Sequence, residues 1–217
     1  MEGPVCNRVM NKPLVMVVDY GMGNIWSVIS AIKYLGGDVE LVSDPEVLAQ
    51  SNILVLPGVG SFRRGMQVLE ERGLDKAIIS AVLERGAKIL GICLGMQLLG
   101  SNGTEDGETP GLGLVSNRVE SFTYQELGNN KIPHVGFNSV RFRKSDGLFR
   151  GLPESSDFYF NHAYHMLVDG VKGCYATCSY GIDFLAAFEE GNIYGTQFHP
   201  EKSQTNGLIL LRNFLEI

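Results

Sequence analysis

Three side chains of this 217-residue sequence have the types and order suited to nucleophilic acyl chemistry: Cys93, His199 and Glu201. Cys93 lies in Leu90-Gly91-Ile92-Cys93-Leu94-Gly95-Met96-Gln97-Leu98-Leu99, where an apolar run passes into a helical pattern through Gly-x-Cys-x-Gly. This is the shape of a nucleophile elbow. The flanking glycines let the chain turn sharply, and the helix that follows brings backbone N–H groups and a positive dipole end beside the reactive atom. The reactive species of such a residue is the thiolate, whereas an ordinary thiol, with a pKa of about 8.5, is mostly protonated at neutral pH. Taken alone, the elbow fits a small buried hydrophobe between two close-packing glycines equally well. His199 shifts the balance. Gly195-Thr196-Gln197-Phe198-His199-Pro200-Glu201 reads as a strand end followed by a turn, so His199 and Glu201 leave the sheet at the edge where loops carry function. Cysteine, histidine and acid in that order can form a triad in which His199 takes the thiol proton and Glu201 fixes its tautomer.

A thiolate that makes a tetrahedral intermediate needs a donor for the oxyanion, which typically contributes about 3 to 4 kcal/mol. The turn Leu56-Pro57-Gly58-Val59-Gly60 leaves a strand with backbone N–H groups that could face outward, although an ordinary strand-to-helix turn would read the same. Two other constellations compete. Gly21-Met22-Gly23 before a helix suggests a dinucleotide loop, but Trp26 stands where Gly-x-Gly-x-x-Gly needs its third glycine. His162, His165, Cys174 and Cys178 could be written as a zinc set, yet each pair falls in what reads as strand, and the spacing matches no common ligand pattern well. The expectation is therefore no metal and no cofactor.

The elements that must hold these residues follow from periodicity. Leu14–Asp19 is a short apolar run closed by a glycine turn, after which Ile25, Val28, Ile29, Ile32 and Leu35 recur at helical spacing. Val39–Val42, Ile53–Leu56 and Lys88–Ile92 read as further buried strands, with helical stretches over Pro45–Gln50 and Phe62–Arg85 between them. Such alternation argues for parallel βαβ units with helices on both faces of the sheet. The second half has another rhythm: glycine and asparagine clusters at 101–113 and 127–130 separate short strands at Asn117–Phe122, Asn138–Phe142, Phe158–Phe160, Leu185–Glu189 and Ile193–Gln197, an antiparallel or mixed arrangement. A closing helix is expected over 207–217. The fold class is thus α/β, doubly wound, with a mostly parallel or mixed central sheet.

Composition narrows the function further. A hydrophobic content of 44% in a chain of this length suits one globular domain with a sizeable core. The net charge of −6 and the dispersal of 18 basic residues argue against nucleic acid. No apolar run reaches the roughly 18 to 20 residues of a membrane span, and four unevenly spaced cysteines make no disulfide framework, so a reducing cytoplasm is the expected setting. Residues 1–9 lack periodicity and read as an extension or remnant ahead of Met10.

Together, Pro57-Gly58-Val59-Gly60, Gly91-Ile92-Cys93-Leu94-Gly95-Met96-Gln97 and Gln197-Phe198-His199-Pro200-Glu201 resemble the motifs of class I glutamine amidotransferases. Asp19-Tyr20-Gly21-Met22-Gly23-Asn24, Pro133-His134-Val135-Gly136-Phe137-Asn138 and Leu211-Arg212-Asn213-Phe214-Leu215 bring the likeness closer to the glutaminase subunits of imidazole glycerol phosphate synthases, over residues 14–217. The resemblance implies a flavodoxin-like glutamine amidotransferase domain over residues 10–217, in which Cys93 attacks the side-chain amide of L-glutamine and a thioester is then hydrolysed. It implies that Gly58, Val59 and Leu94 line the oxyanion site, that Gly60 and Gln97 bind the substrate, and that ammonia passes to a (β/α)8 cyclase subunit. The docking face is expected around the site, with Phe137, Asn138 and Lys202 as contacts. The resemblance also implies that the isolated subunit hydrolyses glutamine poorly. Phe137 stands where the family has tryptophan, and Asn161-His162-Ala163-Tyr164 is an unusual version of the neighbouring strand. These departures leave open a paralogue serving another synthase, such as one building an amidino sugar, and a non-catalytic module on the same fold is the reading from a different class.

Overall fold

The computed structural model describes residues 13–142 and 147–217. The expected extension over residues 1–9 lies outside them. Thirteen strands are described: β1 Leu14–Val18, β2 Asp38–Val42, β3 Ile53–Gly58, β4 Lys88–Cys93, β5 Asn102–Gly103, β6 Thr109–Pro110, β7 Arg118–Ser121, β8 His134–Phe142, β9 Ser155–His162, β10 Tyr164–Met166, β11 Cys174–Tyr180, β12 Ile182–Glu190 and β13 Ile193–Thr196. The helices are α1 Ile25–Tyr34, α2 Pro45–Ala49, α3 Phe62–Glu71, α4 Leu74–Ile79, α5 Leu94–Leu98, α6 Tyr124–Leu127 and α7 Gln204–Glu216.

Nine strands form one sheet in the order β2-β1-β3-β4-β13-β12-β11-β8-β9. Its first five strands are parallel, and from β13 to β9 every pairing is antiparallel. The change of rhythm along the sequence is therefore the change from crossover helices to hairpins. Alternation within β3 explains the two-faced burial: Leu54 and Leu56 enter one core with Phe62, Leu69, Ile78 and Leu98, while Val55 enters the other with Val28, Ile32, Leu210 and Phe214. Helices thus cover both faces, as a doubly wound sheet requires.

Three expectations need correction. The helical region over 62–85 is broken: Gly73 adopts φ 68, a left-handed turn that glycine enters without a Cβ clash, so α3 and α4 are separate and a π turn over Ser80–Glu84 follows. The stretch 101–113 is more than a separator, because it contributes β5 and β6 to a second sheet of order β10-β7-β5-β6. β8 and β9 also extend well beyond the apolar cores read for them. In β9 Ser155 is exposed at the start and Asp157 and Asn161 are exposed between buried neighbours, so its ends look polar in sequence although the strand is continuous.

The topology collects the candidate site at the carboxyl ends of adjacent parallel strands, where α/β sheets place their ligands. Gly58 at the end of β3 is the register partner of Cys93 at the end of β4, and Thr196 of β13 pairs with Ile92. The contact at the elbow is close: a Cβ on Gly95 would lie 1.7 Å from the Leu56 carbonyl oxygen. Gly95→Ala is accordingly expected to cost about 3 kcal/mol and to lower Tm by about 6 to 12 °C, read by thermal unfolding. An unchanged Tm would refute the close approach.

Candidate functional site

Cys93 ends β4 and immediately precedes α5, with φ 54 and ψ −112. A non-glycine residue pays about 1 to 3 kcal/mol to sit in such a region, a strain that concentrates at functional sites. Neither flanking position has room for a side chain, since a Cβ on Gly91 would come within 2.7 Å of the Gly95 carbonyl. Cys93 itself is 6% exposed. Its sulfur lies 3.8 Å from the Asn161 carbonyl oxygen and 3.8 Å from Gln197 Nε2.

His199 follows β13 and is clamped through its backbone. Its N–H donates to the Tyr159 carbonyl at 2.8 Å, and its own carbonyl accepts from Ser203 Oγ at 2.6 Å. The Tyr159 N–H in turn donates to Ser203 Oγ at 2.9 Å, so the turn is pinned to β9. Nδ1 of His199 lies 2.9 Å from Glu201 Oε1, in side chains only 3% and 1% exposed. Burial by itself pushes this imidazole down. The hydrogen bonds to Cys93 and Glu201, and the negative charge those groups can carry, outweigh it and raise the pKa to about 10. Glu201 occupies Nδ1, which leaves Nε2 for the sulfur. The arrangement favours an imidazolium, the natural partner of a thiolate.

The folded value of His199 lies above the ordinary one of about 6.5, so the stability contributed by its charge is complete below that pH and is lost as pH rises toward about 10. Glu201→Gln removes one of the two supports. It is expected to lower kcat by about 100-fold and to move the alkaline limb of kcat/KM to lower pH. A pH profile superimposable on the unsubstituted one would show that Glu201 does not set the His199 charge.

Beside the sulfur is a cavity of about 240 Å³, whose lining includes Val59, Gly60, Gln97, Glu105 and Tyr164. That volume suits a single amino acid. Gln97 also lines it, with its Nε2 donating to the Tyr164 carbonyl and to Gln197 Oε1, both at 2.9 Å. Glu105 was not foreseen: it accepts the Phe62 N–H at 2.7 Å, and burial raises its pKa against that hydrogen bond. No local pattern marks it, because it comes from the glycine-rich stretch 101–113 and reaches the cavity only through the second sheet.

The residues expected at the oxyanion site have different backbone surroundings. Leu94 opens α5, where a backbone N–H has no partner within the helix. Val59, however, donates its N–H to the Met22 carbonyl at 3.3 Å and so turns it away from the cavity. Gly58 sits against the elbow, and Gly60 holds φ 111, a conformation that L side chains rarely adopt.

Of the three expected docking residues, Phe137 and Lys202 meet over one ring, while Asn138, next to Phe137 on β8, points to the other face of the strand toward His134. Phe137 is 51% exposed and packs edge-on against Tyr159 at 5.6 Å, and Lys202 Nζ lies 5.7 Å from the centre of that same ring. Asn138 is their half-buried neighbour on β8. Trp26 and Tyr34, 73% and 77% exposed, frame a hollow that reaches Glu201. Their signal in sequence was available, since both fall off the apolar stripe of α1. Of the zinc set, Cys174 is exposed, Cys178 is buried and His162 hydrogen-bonds elsewhere. Among the described residues, no group of three or more His, Cys, Asp or Glu side chains could hold a metal ion. No helix among them is long and apolar enough to cross a membrane.

Residues 16–217 match the family described as glutamine amidotransferase class-I. The chain belongs to that family. It is 46% identical to the imidazole glycerol phosphate synthase subunit HisH 1 of Parasynechococcus marenigrum (strain WH8102), over 93% of this chain and 96% of that one. With the HisH subunit of Moorella thermoacetica it shares 42% identity, over 94% of each chain. Within the class-I glutamine amidotransferases it is thus HisH-like. Solved structures extend the likeness of fold: a glutamine amidotransferase superposes with a TM-score of 0.69 at 23% identity, covering 93% of this chain and 97% of that one. PurLQS from Thermotoga maritima gives 0.69 at 19%, covering 94% and 98%.

Proposed function

We infer that this chain is the glutaminase subunit of an imidazole glycerol phosphate synthase, releasing ammonia from L-glutamine for histidine biosynthesis. The observation that carries the reading is the Cys93 elbow, with its strained nucleophile in contact with a buried His199–Glu201 pair and opening on an amino-acid-sized cavity. Similarity to HisH subunits over nearly the whole chain supplies the pathway.

In the reaction we propose, the Cys93 sulfur attacks the side-chain carbonyl carbon of glutamine. The carbonyl oxygen becomes an oxyanion held by the Leu94 amide and, once it turns inward, the Val59 amide. His199 gives its proton to the departing nitrogen, which leaves as ammonia, and a glutamyl thioester remains. Neutral His199 then takes a proton from water as the water oxygen attacks the thioester, and glutamate leaves with the thiolate restored. The Gln97 Oε1 and the Glu105 carboxyl face the polar end of the substrate, the latter suiting its α-ammonium group.

The partner we propose is a (β/α)8 cyclase subunit, forming a heterodimer in the cytoplasm. It would dock on the face of Phe137 and Lys202, with Asn138 at the same end of β8 and with Trp26 and Tyr34 extending the contact. Phe137 in place of tryptophan also suits a donor to a different synthase, and one assay separates the two: glutamine hydrolysis with and without the co-expressed cyclase and its nucleotide ligand. Strong stimulation supports the histidine-pathway reading. Activity indifferent to the cyclase would sink that reading while keeping the glutaminase.

A further inference from the structure

His134 and His162 are register partners on β8 and β9, 2% and 6% exposed, and neither has a role in the triad. His162 Nδ1 lies 2.8 Å from the Tyr164 carbonyl oxygen, and His162 Nε2 lies 3.1 Å from His134 Nδ1. A carbonyl only accepts, so His162 Nδ1 carries the hydrogen. Burial, the largest influence, holds His162 well below the usual imidazole range against that backbone bond, so the ring is neutral and its Nε2 is a lone pair. His134 Nδ1 must then be the donor. His134, lowered by burial to about 4, is neutral too, and its Nε2 can only accept; Asn138 Nδ2 lies 3.5 Å away. Every junction in this chain has one allowed polarity.

The Tyr164 carbonyl also accepts from Gln97, whose second N–H goes to Gln197 Oε1. That bond fixes the amide of fully buried Gln197 with its Nε2 toward the Cys93 sulfur at 3.8 Å. Were this amide reversed, an oxygen lone pair would face a thiolate.

We propose that His134 and His162 are positioning residues of the glutamine site: their hydrogen-bond chain holds the Tyr164 carbonyl, and through it Gln97 and Gln197, with an N–H presented to Cys93. The chain ends at half-buried Asn138, so it joins β8 to the nucleophile. The proposal rests on the glutaminase reading. A purely structural role would be stacking alone, since His134 lies between Tyr180 at 3.9 Å and Phe160 at 4.7 Å, a place that a phenylalanine ring also fills.

Two measurements test it. In the unsubstituted protein at neutral pH, long-range nitrogen–proton NMR should find His134 and His162 both neutral and both protonated on Nδ1, and an Nε2–H form of either overturns the chain. In the complex with the cyclase partner, His134→Phe keeps the stack and loses the donor. It should raise the KM for glutamine about tenfold, the size of one lost buried hydrogen bond, with kcat within about threefold, while His134→Gln, whose amide can donate to His162, should return KM to within about twofold. An unaltered KM in His134→Phe, or no recovery in His134→Gln, overturns the positioning role while wild-type turnover keeps the glutaminase reading. Absence of wild-type turnover would instead sink that reading.

Discussion

Cys93→Ala and Cys93→Ser are expected to lose glutamine hydrolysis by about 10⁴-fold or more while keeping the fold and the ability to bind the cyclase. Both replacements are small and keep the backbone where it is, at the end of β4 between two glycines that nothing larger could replace. Cys93→Gly separates function from stability more sharply. With φ 54 and ψ −112, Cys93 stores strain that glycine does not. Relief of about 1 to 3 kcal/mol, less the roughly 0.5 to 1 kcal/mol of chain entropy that a glycine costs, should raise Tm by a few degrees in an inactive protein. Thermal unfolding of the three variants beside a glutamate-release assay decides it. Residual turnover in Cys93→Ala would exclude the covalent route, and a lower Tm in Cys93→Gly would mean that the elbow is not strained.

The second large effect is stimulation by the partner. The isolated chain is expected to hydrolyse glutamine about 10² to 10³-fold more slowly than the complex with cyclase and nucleotide, the range attached to one oxyanion donor. The reason is local: the Val59 N–H is bonded to the Met22 carbonyl at 3.3 Å, so of the Val59 and Leu94 amides it is the latter that is free to serve an oxyanion beside Cys93. Turning that peptide breaks a single, rather long hydrogen bond, and Gly58 and Gly60 on either side give the backbone the freedom to do so. Docking on the neighbouring face is the natural source of the energy. Steady-state kinetics with and without the partner reads the ratio. Full activity in the isolated chain would mean that Val59 is not the controlling donor.

Much of this protein was legible in its sequence because the signals are local. Gly-x-Cys-x-Gly between an apolar run and a helical pattern states a backbone requirement, and the fold meets it with a positive φ at Cys93 and with glycines packed against β3 and α5. His199 and Glu201 stand two residues apart on one turn, so their pairing is itself a local feature. The apolar runs of β1, β3 and β4 carry no polar face, which is what burial between two helical layers demands.

Tertiary structure decided what has no local signature. Gln97 and Gln197 are one hundred residues apart and meet because β4 and β13 are neighbours in the sheet. Glu105 reaches the cavity through a second sheet of very short strands, too brief for any periodicity to reveal. The direction of the Val59 N–H depends on a carbonyl in the β1–α1 turn, and the tautomers of His134 and His162 depend on which acceptor each ring meets across β8 and β9. Sequence fixes which groups exist. Which hydrogen bonds they make is settled only when distant strands come into register, because a donor's orientation belongs to the pair and not to either residue.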